Sequence, residues 1–151
     1  MYIVSACLAG VNCKYNGGNN GSQWVKDFME NKECMLVCPE LLGDLPTPRP
    51  PSEFIDGRVI DKNGKDITDN LMIGAEKSLA RVEKRAEELD ETIELAILKA
   101  NSPSCGCGKI YDGTFSRVLI DGDGIFASLL KKKGIKVITE LDENDIVNVK
   151  R

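Results

Sequence analysis

The sequence predicts an α/β fold: a three-layer sandwich with a mainly parallel four-stranded sheet, Rossmann-like, plus a small β-hairpin insertion. The first observation is four short apolar runs of strand length, at 2–6, 34–38, 93–98 and 135–139. The second is that segments with helical spacing of apolar residues separate these runs, an alternation typical of parallel sheets with helices on both faces. We expect the 151 residues, 1–151, to form a single domain.

Three of the strands lead directly to cysteines. The first run is followed by Cys7, the second ends at Cys38, and the third is followed a few residues later by Cys105. Right-handed crossovers bring the carboxyl ends of parallel strands to one edge of a sheet, which is where ligands bind in such folds. We therefore predict that the three thiols converge there. Cys34 lies near the start of its strand, and we expect it in the core, outside the site.

Three helices are predicted between the strands. Ser22 is expected to cap the first helix. The longest helix is expected to start after Thr68 or Asp69, because apolar residues then recur every three or four positions on one face. The third is expected to have Asp123 as its N-cap and to stop at Gly134.

Three further segments connect these elements. We expect a small hairpin over 59–67, turning at its Asn-Gly pair. A short strand is expected over 117–120 within a glycine-rich segment. Five prolines in 39–51 predict a rigid segment without secondary structure.

Composition limits the classes of function. With 24 acidic and 20 basic residues the net charge is −4, which argues against a dedicated nucleic-acid surface. The chain has neither a signal-peptide pattern nor an apolar stretch of membrane length, so we expect a cytoplasmic protein without a membrane partner. In that reducing compartment six cysteines indicate metal binding or thiol chemistry. The absence of histidine excludes Ser-His and Cys-His catalytic pairs and His-containing zinc sites.

Polar residues beside the predicted sheet edge are candidates for chemistry. Glu40 follows Cys38 closely and could act as a general base. Arg49 lies between prolines that would fix its side chain toward an anion or a carbonyl group. Ser102 and Ser104 flank a proline just before Cys105, where hydroxyl groups could hold an oxyanion or a substrate carbonyl.

The cysteine spacing alone leaves several interpretations open. There is no C-x-x-C pair, and three thiols at strand ends are as consistent with buried inert cysteines as with a metal site. Cys13 and Cys107 could each be an additional ligand, a resolving thiol or a bystander.

The loops together resemble a bacterial family, long described as a domain of unknown function, whose characterised members are thiouracil desulfidases. The motifs are S-A-C-L-x-G at Ser5–Gly10, C-P-E-x-x-G-x-L-P-x-P-R-P-P at Cys38–Pro51, K-A-x-S-P-S-C-G at Lys99–Gly106, Y-D-G-x-F at Tyr111–Phe115 and G-D-G at Gly122–Gly124. The resemblance covers essentially the whole chain.

The resemblance implies a four-iron four-sulfur cluster held by three cysteines, which map to Cys7, Cys38 and Cys105. The fourth iron would bind the sulfur of a small thiolated base, and hydrolysis would release sulfide without an electron donor. Glu40 and Ser102 match the positions for proton transfer and substrate activation. We further expect Arg49 and Ser104 to contact the substrate.

Three other functions remain open. Cys13 or Cys107 could complete a four-thiolate site for zinc or a cluster in a protein that is not an enzyme. Cys105 and Cys107 could form a redox or sulfur-carrier pair. A module that binds thiolated RNA is the fourth interpretation, disfavoured by the acidic composition.

Overall fold

A computed structural model describes residues 1–149 of the chain, with side chains described through residue 146. A short 3-10 helix, Ala6–Ala9, follows the first strand. In chain order the elements are β1 (Tyr2–Ser5), α1 (Gln23–Met29), β2 (Cys34–Val37), α2 (Pro39–Leu42), β3 (Ser52–Ile55), β4 (Arg58–Asp61), α3 (Thr68–Leu89), β5 (Leu95–Leu98), β6 (Lys109–Tyr111), β7 (Leu119–Asp121), α4 (Ile125–Lys132), β8 (Val137–Thr139) and α5 (Glu143–Val149).

The four predicted strands form one parallel sheet in the order β2-β1-β5-β8. β1 lies between β2 and β5, with Ser5 opposite Val37 and Val4 opposite Ile97. All four residues of β5 are buried, as expected for a strand covered on both faces. The predicted α/β fold with a four-stranded parallel sheet is confirmed.

Helices cover both faces of this sheet and create two cores. On one face α3 and α4 pack through residues such as Val82 and Phe126 against Ile3 and Leu98. On the other face α1 packs through Phe28 against a second cluster, which also contains Ile146 of α5. The result is the predicted three-layer arrangement. Among the described residues, no helix combines the length and apolar character needed to cross a membrane.

Two helix caps differ from the sequence predictions. Ser22 occupies the N-cap position of α1, but its side chain makes no capping hydrogen bond. Asp123 is not the N-cap of α4, because Gly124 takes that position. The Asp123 carboxylate instead accepts hydrogen bonds from the Gly108 amide at 2.8 Å and from Lys131 at 2.8 Å. It therefore ties the preceding loop to the helix.

The predicted hairpin over 59–67 is confirmed by an antiparallel bridge between Ile60 and Asp66, while the longer strand pair of this segment is shifted toward the N-terminus. β3 and β4 pair antiparallel across a turn at Asp56 and Gly57. The Asn-Gly pair within 59–67 forms a second tight turn, in which the Gly64 amide donates to the Asp61 carbonyl at 2.9 Å. The expected strand at 117–120 is also shifted, because Leu119–Asp121 pairs with β6 as a second ribbon.

The proline-rich segment contains a helix that the sequence analysis did not predict. α2 begins at Pro39, a residue well suited to the first helical position because its missing N–H needs no partner there. α2 packs very closely on α3. A Cβ atom built on Gly74 would lie 1.8 Å from the Pro39 carbonyl oxygen, and one on Gly43 would lie 2.0 Å from the Asn70 carbonyl oxygen. Both glycines are therefore required by the close approach of two backbones.

We expect Gly74→Ala to destabilise the protein, although alanine normally favours a helix over glycine. The added methyl group would meet backbone atoms of α2, and overpacking of this kind costs roughly 1–3 kcal/mol. Urea denaturation of the metal-free protein measures the change in the free energy of unfolding. Lys84→Ala, at an exposed position of α3, is the control and should change stability by less than about 0.5 kcal/mol. Equal stability of Gly74→Ala and the wild type would contradict the close contact.

Candidate functional site

A cavity of about 480 Å³ lies at the carboxyl ends of β1, β2 and β5. The loops that follow these three strands form its floor, and residues of both antiparallel ribbons complete its wall. This is the edge at which ligands bind in open parallel sheets. The cavity therefore lies where a ligand-binding site is expected in this class of fold.

Four cysteines line this cavity: Cys7, Cys13, Cys38 and Cys105. Cys7 belongs to the 3-10 helix after β1, and Cys38 is the N-cap of α2 immediately after β2. Cys105 follows β5 in the Ser-Pro-Ser-Cys loop and is only 5% exposed. The three thiols predicted to converge thus share one cavity, and Cys13 joins them.

The remaining two cysteines lie elsewhere. Cys107 packs at the edge of the core, and its thiol is 3.6 Å from the Val137 carbonyl oxygen on β8. Cys34 is half-buried against the other core, away from the cavity lining, as predicted. Of the two extra thiols that the sequence left undecided, only Cys13 lies at the site.

Hydrogen bonds give the cavity thiols different pKa values. A hydrogen bond with Cys13 lowers the pKa of Cys38 to about 7, with a further contribution from the Leu41 amide. A hydrogen bond with Cys13 likewise lowers the pKa of Cys7. The same two contacts raise the pKa of Cys13, which keeps its proton as the shared donor. The cavity therefore favours thiolates at Cys7 and Cys38.

Cys105 differs from these two because burial dominates its environment. Burial raises the pKa of its thiol to about 12, although the hydroxyl groups of Ser5 and Ser104 act in the opposite direction. The Ser104 hydroxyl lies 3.7 Å from the Cys105 sulfur. A positively charged ligand such as a metal centre is the usual means of deprotonating such a thiol.

Glu40 and Arg49 form a largely buried ion pair on the cavity wall. The Arg49 Nε donates to Glu40 Oε1 at 3.1 Å, and the side chains are 5% and 18% exposed. The same guanidinium donates to the Cys13 carbonyl at 2.8 Å and to Thr47 Oγ1 at 3.0 Å. Arg49 thus connects the loop after β1 with the loop after β2 and fixes the Glu40 carboxylate.

Two serines continue this network toward Cys105. The Ser104 hydroxyl donates to Glu40 Oε2 at 3.2 Å and lies 3.5 Å from the Ser102 hydroxyl. The Ser102 oxygen accepts a hydrogen bond from the Cys105 amide at 2.8 Å. The four predicted polar residues therefore form one hydrogen-bonded network on the cavity wall, in the order Arg49, Glu40, Ser104 and Ser102.

Sequence reasoning assigned no role to Lys99, which also lines the cavity. Its ammonium group forms an ion pair with Glu140 Oε2 at 2.9 Å, and Glu140 Oε1 accepts from the Ala100 amide at 2.7 Å. The Trp24 indole in turn donates to the Glu140 carbonyl at 2.8 Å. The position of Lys99 at the end of a buried strand was the available signal, but its partner is 41 residues away in the chain.

The two ribbons contribute further residues that the sequence analysis left out. The residues from this part of the chain that line the cavity include Glu53, Tyr111, Phe115 and Arg117. Tyr111–Phe115 has the sequence of a structural turn and matches a family motif, and neither pattern assigns these residues a chemical role. Nothing in the local pattern of Glu53 marks it as a site residue, because its role depends on contacts with a loop 60 residues later.

Comparison with known proteins identifies the family. The family model described as 2-thiouracil desulfurase matches residues 2–142. The chain belongs to this family. The resemblance inferred from the motifs is thereby confirmed.

Two relatives show how far the similarity within the 2-thiouracil desulfurase family extends. Uncharacterized protein YbbK of Bacillus subtilis (strain 168) is 42% identical over 157 aligned residues, covering 97% of this chain and 100% of YbbK. The solved structure of the 4Fe-4S-dependent thiouracil desulfidase TudS is similar with a TM-score of 0.86 and 37% identity, covering 98% of this chain and 95% of that one.

We expect the cavity thiols of the metal-free protein to react with iodoacetamide in a defined order. The pKa of Cys38 is lowered to about 7, so its reactive thiolate should appear as the pH rises through about 7. Cys105, with its pKa raised to about 12, should stay unmodified up to at least pH 9. Mass spectrometry of peptides after brief alkylation between pH 5 and pH 10 measures both. A Cys38 midpoint at the ordinary thiol value of about 8.5 would contradict the hydrogen-bonded arrangement.

Proposed function

We propose that this protein is an iron–sulfur-dependent desulfidase that hydrolyses a small thiolated nucleobase of the 2-thiouracil type. The reaction is non-redox: water supplies the oxygen and sulfide is released. The observation that carries the proposal is the cavity that Cys7, Cys38 and Cys105 share with Glu40 and Ser102, two residues that hydrogen bonds connect through Ser104. Family membership and the similarity to TudS also support a desulfidase.

The donor set of the cavity fits an iron–sulfur cluster. Thiolate sulfur is the ligand that such clusters take, and two of the three proposed ligands, Cys7 and Cys38, have lowered pKa values. Among the described residues, no group of three or more Cys, Asp or Glu side chains converges closely enough to hold a single metal ion. In an iron–sulfur cluster each thiolate binds a different iron, so the three thiols need not converge on one ion. Cys7, Cys38 and Cys105 would therefore hold the cluster.

A four-iron four-sulfur cluster with three cysteine ligands would supply one open iron, a soft Lewis acid suited to the sulfur of a thiocarbonyl group. The rest of the chemistry falls to the polar residues. Sulfide leaves from carbon only after water has added, so a base and a hydrogen-bond donor are both needed near the substrate carbon.

Glu40 is the base in this proposal. Its carboxylate is held on one oxygen by Arg49 and on the other by Ser104, so its orientation toward the cavity is set before substrate binds. A carboxylate in this position takes a proton from the attacking water. Arg49 then acts as a positioning residue for Glu40, and a direct contact between Arg49 and the substrate stays a prediction.

Ser102 activates the substrate in this proposal. Its oxygen accepts from the Cys105 amide, which leaves the hydroxyl proton available for donation to a substrate heteroatom. Ser104 lies between Ser102 and Glu40 and is only 2% exposed, so it can pass a proton between them without bulk water. A direct contact between Ser104 and the substrate stays a prediction.

The position of Cys13 supports one alternative. Because Cys13 lies beside Cys7 and Cys38, it could complete a four-thiolate site in a protein that is not an enzyme. Anaerobic reconstitution followed by metal and sulfide analysis separates the two functions. About four irons and four sulfides per chain, retained in Cys13→Ser, support the desulfidase. One zinc per chain, lost in Cys13→Ser, supports the alternative.

We expect Glu40→Gln and Ser102→Ala to keep the cluster and to lose activity. Glutamine matches glutamate in shape but cannot take the proton, and alanine lacks the donor hydroxyl. Each change should lower sulfide release from 2-thiouracil by roughly 10²-fold or more. Iron content and the absorption spectrum of the reconstituted protein check the cluster, and a sulfide assay checks turnover.

Two further variants are the controls for this test. Asp44→Asn removes an exposed carboxylate just after α2 and should leave turnover within about twofold of the wild type. Cys7→Ser should lose both the cluster and the activity, since a serine hydroxyl is a poor ligand for iron in such clusters. Full turnover by Glu40→Gln with an intact cluster would refute the role of Glu40 as base.

A further inference from the structure

The loop between β6 and β7 is attached to the β3–β4 hairpin through one buried carboxylate. Glu53 on β3 is 8% exposed, and its Oε1 accepts hydrogen bonds from the Gly113 amide at 3.0 Å and the Phe115 amide at 3.1 Å. The two ribbons have no strand pairing with each other in the described part of the chain. Glu53 is therefore a principal polar link between them at the cavity wall.

The loop has a backbone conformation that needs this support. Phe115 has φ of 56°, in the left-handed region that bulky residues rarely adopt. Gly113 has φ of 94°, and a Cβ atom there would lie 2.5 Å from the Phe54 carbonyl oxygen. A left-handed phenylalanine persists only where surrounding contacts determine it. The hydrogen bonds that the Gly113 and Phe115 amides donate to Glu53 are such contacts.

Hydrogen bonds within the loop add to its rigidity. The Asp112 carboxylate accepts from the Thr114 amide at 2.9 Å and from the Thr114 hydroxyl at 2.6 Å. The Asp112 amide donates to the Val118 carbonyl at 2.9 Å, which closes the loop at its base. Phe115 is thus presented to the cavity from a loop with little freedom to move.

We infer that Phe115, held in this conformation by Glu53, stacks on the ring of the substrate and selects a planar base over a small open-chain thioamide. The inference rests on the proposed function, since it concerns the substrate of the same cavity. Phe115 lines the same cavity as the three cysteines and Glu40. A ring placed there can bind one face of a heterocycle while its thiocarbonyl group points to the thiols.

Phe115 suits this role better than the other aromatic residues of the cavity. Tyr15 is exposed, and the Lys14 ammonium lies 5.5 Å from the centre of its ring, so one face is already in use. Tyr111 belongs to the regular strand β6 and needs no unusual backbone. Only Phe115 combines a purely apolar ring with a strained conformation that polar contacts maintain.

The test measures uracil binding and substrate preference in the reconstituted protein. Phe115→Ala should raise the Kd for uracil, determined by calorimetry, roughly tenfold, because loss of one stacking side chain typically has an effect of that order. It should also lower the ratio of kcat/KM for 2-thiouracil to that for thioacetamide by a similar factor. Leu119→Ala, at an exposed position of the same ribbon outside the cavity lining, is the matched control and should bind uracil as the wild type does.

A second pair of variants examines Glu53 as a positioning residue. Glu53→Ala removes the acceptor of the hydrogen bonds from the Gly113 and Phe115 amides. Phe115 is then no longer held in its left-handed conformation, and uracil binding should weaken to the level of Phe115→Ala. Glu53→Gln keeps an oxygen in the place of Oε1 and should restore binding to within about threefold of the wild type. A purely electrostatic role of Glu53 would make the glutamine variant as weak as the alanine variant, which would refute the positioning role.

The outcomes distinguish this inference from the proposed function. Unchanged uracil affinity in Phe115→Ala overturns the inference, as does an equal loss of 2-thiouracil and thioacetamide turnover, which would indicate general damage to the cavity. Absence of sulfide release by the wild type, combined with uracil binding that depends on Phe115, would refute the desulfidase activity and still support the stacking site.

Discussion

The parallel pairing of β1 with both β2 and β5 is the constraint on which the cavity depends. Because β1 lies in the middle of the three, the loops after these strands emerge side by side at one edge. Cys7, Cys38 and Cys105 come from parts of the chain separated by 31 and 67 residues, and only this strand order brings them together. The helices on both faces bury the strands and hold that order.

The ion pair between Arg49 and Glu40 fixes the position of a charged group at this edge of the sheet. Breaking a buried pair typically costs about 3–5 kcal/mol, because one charge is left without a partner. The Arg49 side chain also binds the Cys13 carbonyl, so the same group that orients the proposed base fixes the loop carrying a cavity thiol. The close contact of α2 with α3 at Gly74 fixes the backbone of Pro39, the residue before Glu40. Packing and charge therefore act together to place one carboxylate.

The sequence predicts the sheet better than its surroundings, for physical reasons. Apolar runs and their order suffice for the parallel sheet, since buried strands have a strong and local signal. The helix at Pro39 was missed because prolines suggested an irregular segment, whereas its first position tolerates proline. Glu53 and Lys99 were missed because their partners, Phe115 and Glu140, are distant in sequence. Motifs show which residue types are present, but long-range hydrogen bonds decide which of them act together.

The site also depends on contacts that do not involve the thiol groups. The Ser5 hydroxyl accepts from the Lys99 amide at 3.0 Å, the Ser102 hydroxyl oxygen accepts from the Cys105 amide, and Arg49 binds the Cys13 carbonyl. The Ser102 bond closes the Ser-Pro-Ser-Cys loop on itself, and the other two bonds join segments that are distant in the chain without using sulfur. Contacts of the backbone therefore contribute to bringing the cysteine loops to one cavity. The cavity therefore combines two thiols of lowered pKa, Cys7 and Cys38, with the buried Cys105 thiol and a carboxylate whose orientation is fixed by Arg49 and Ser104.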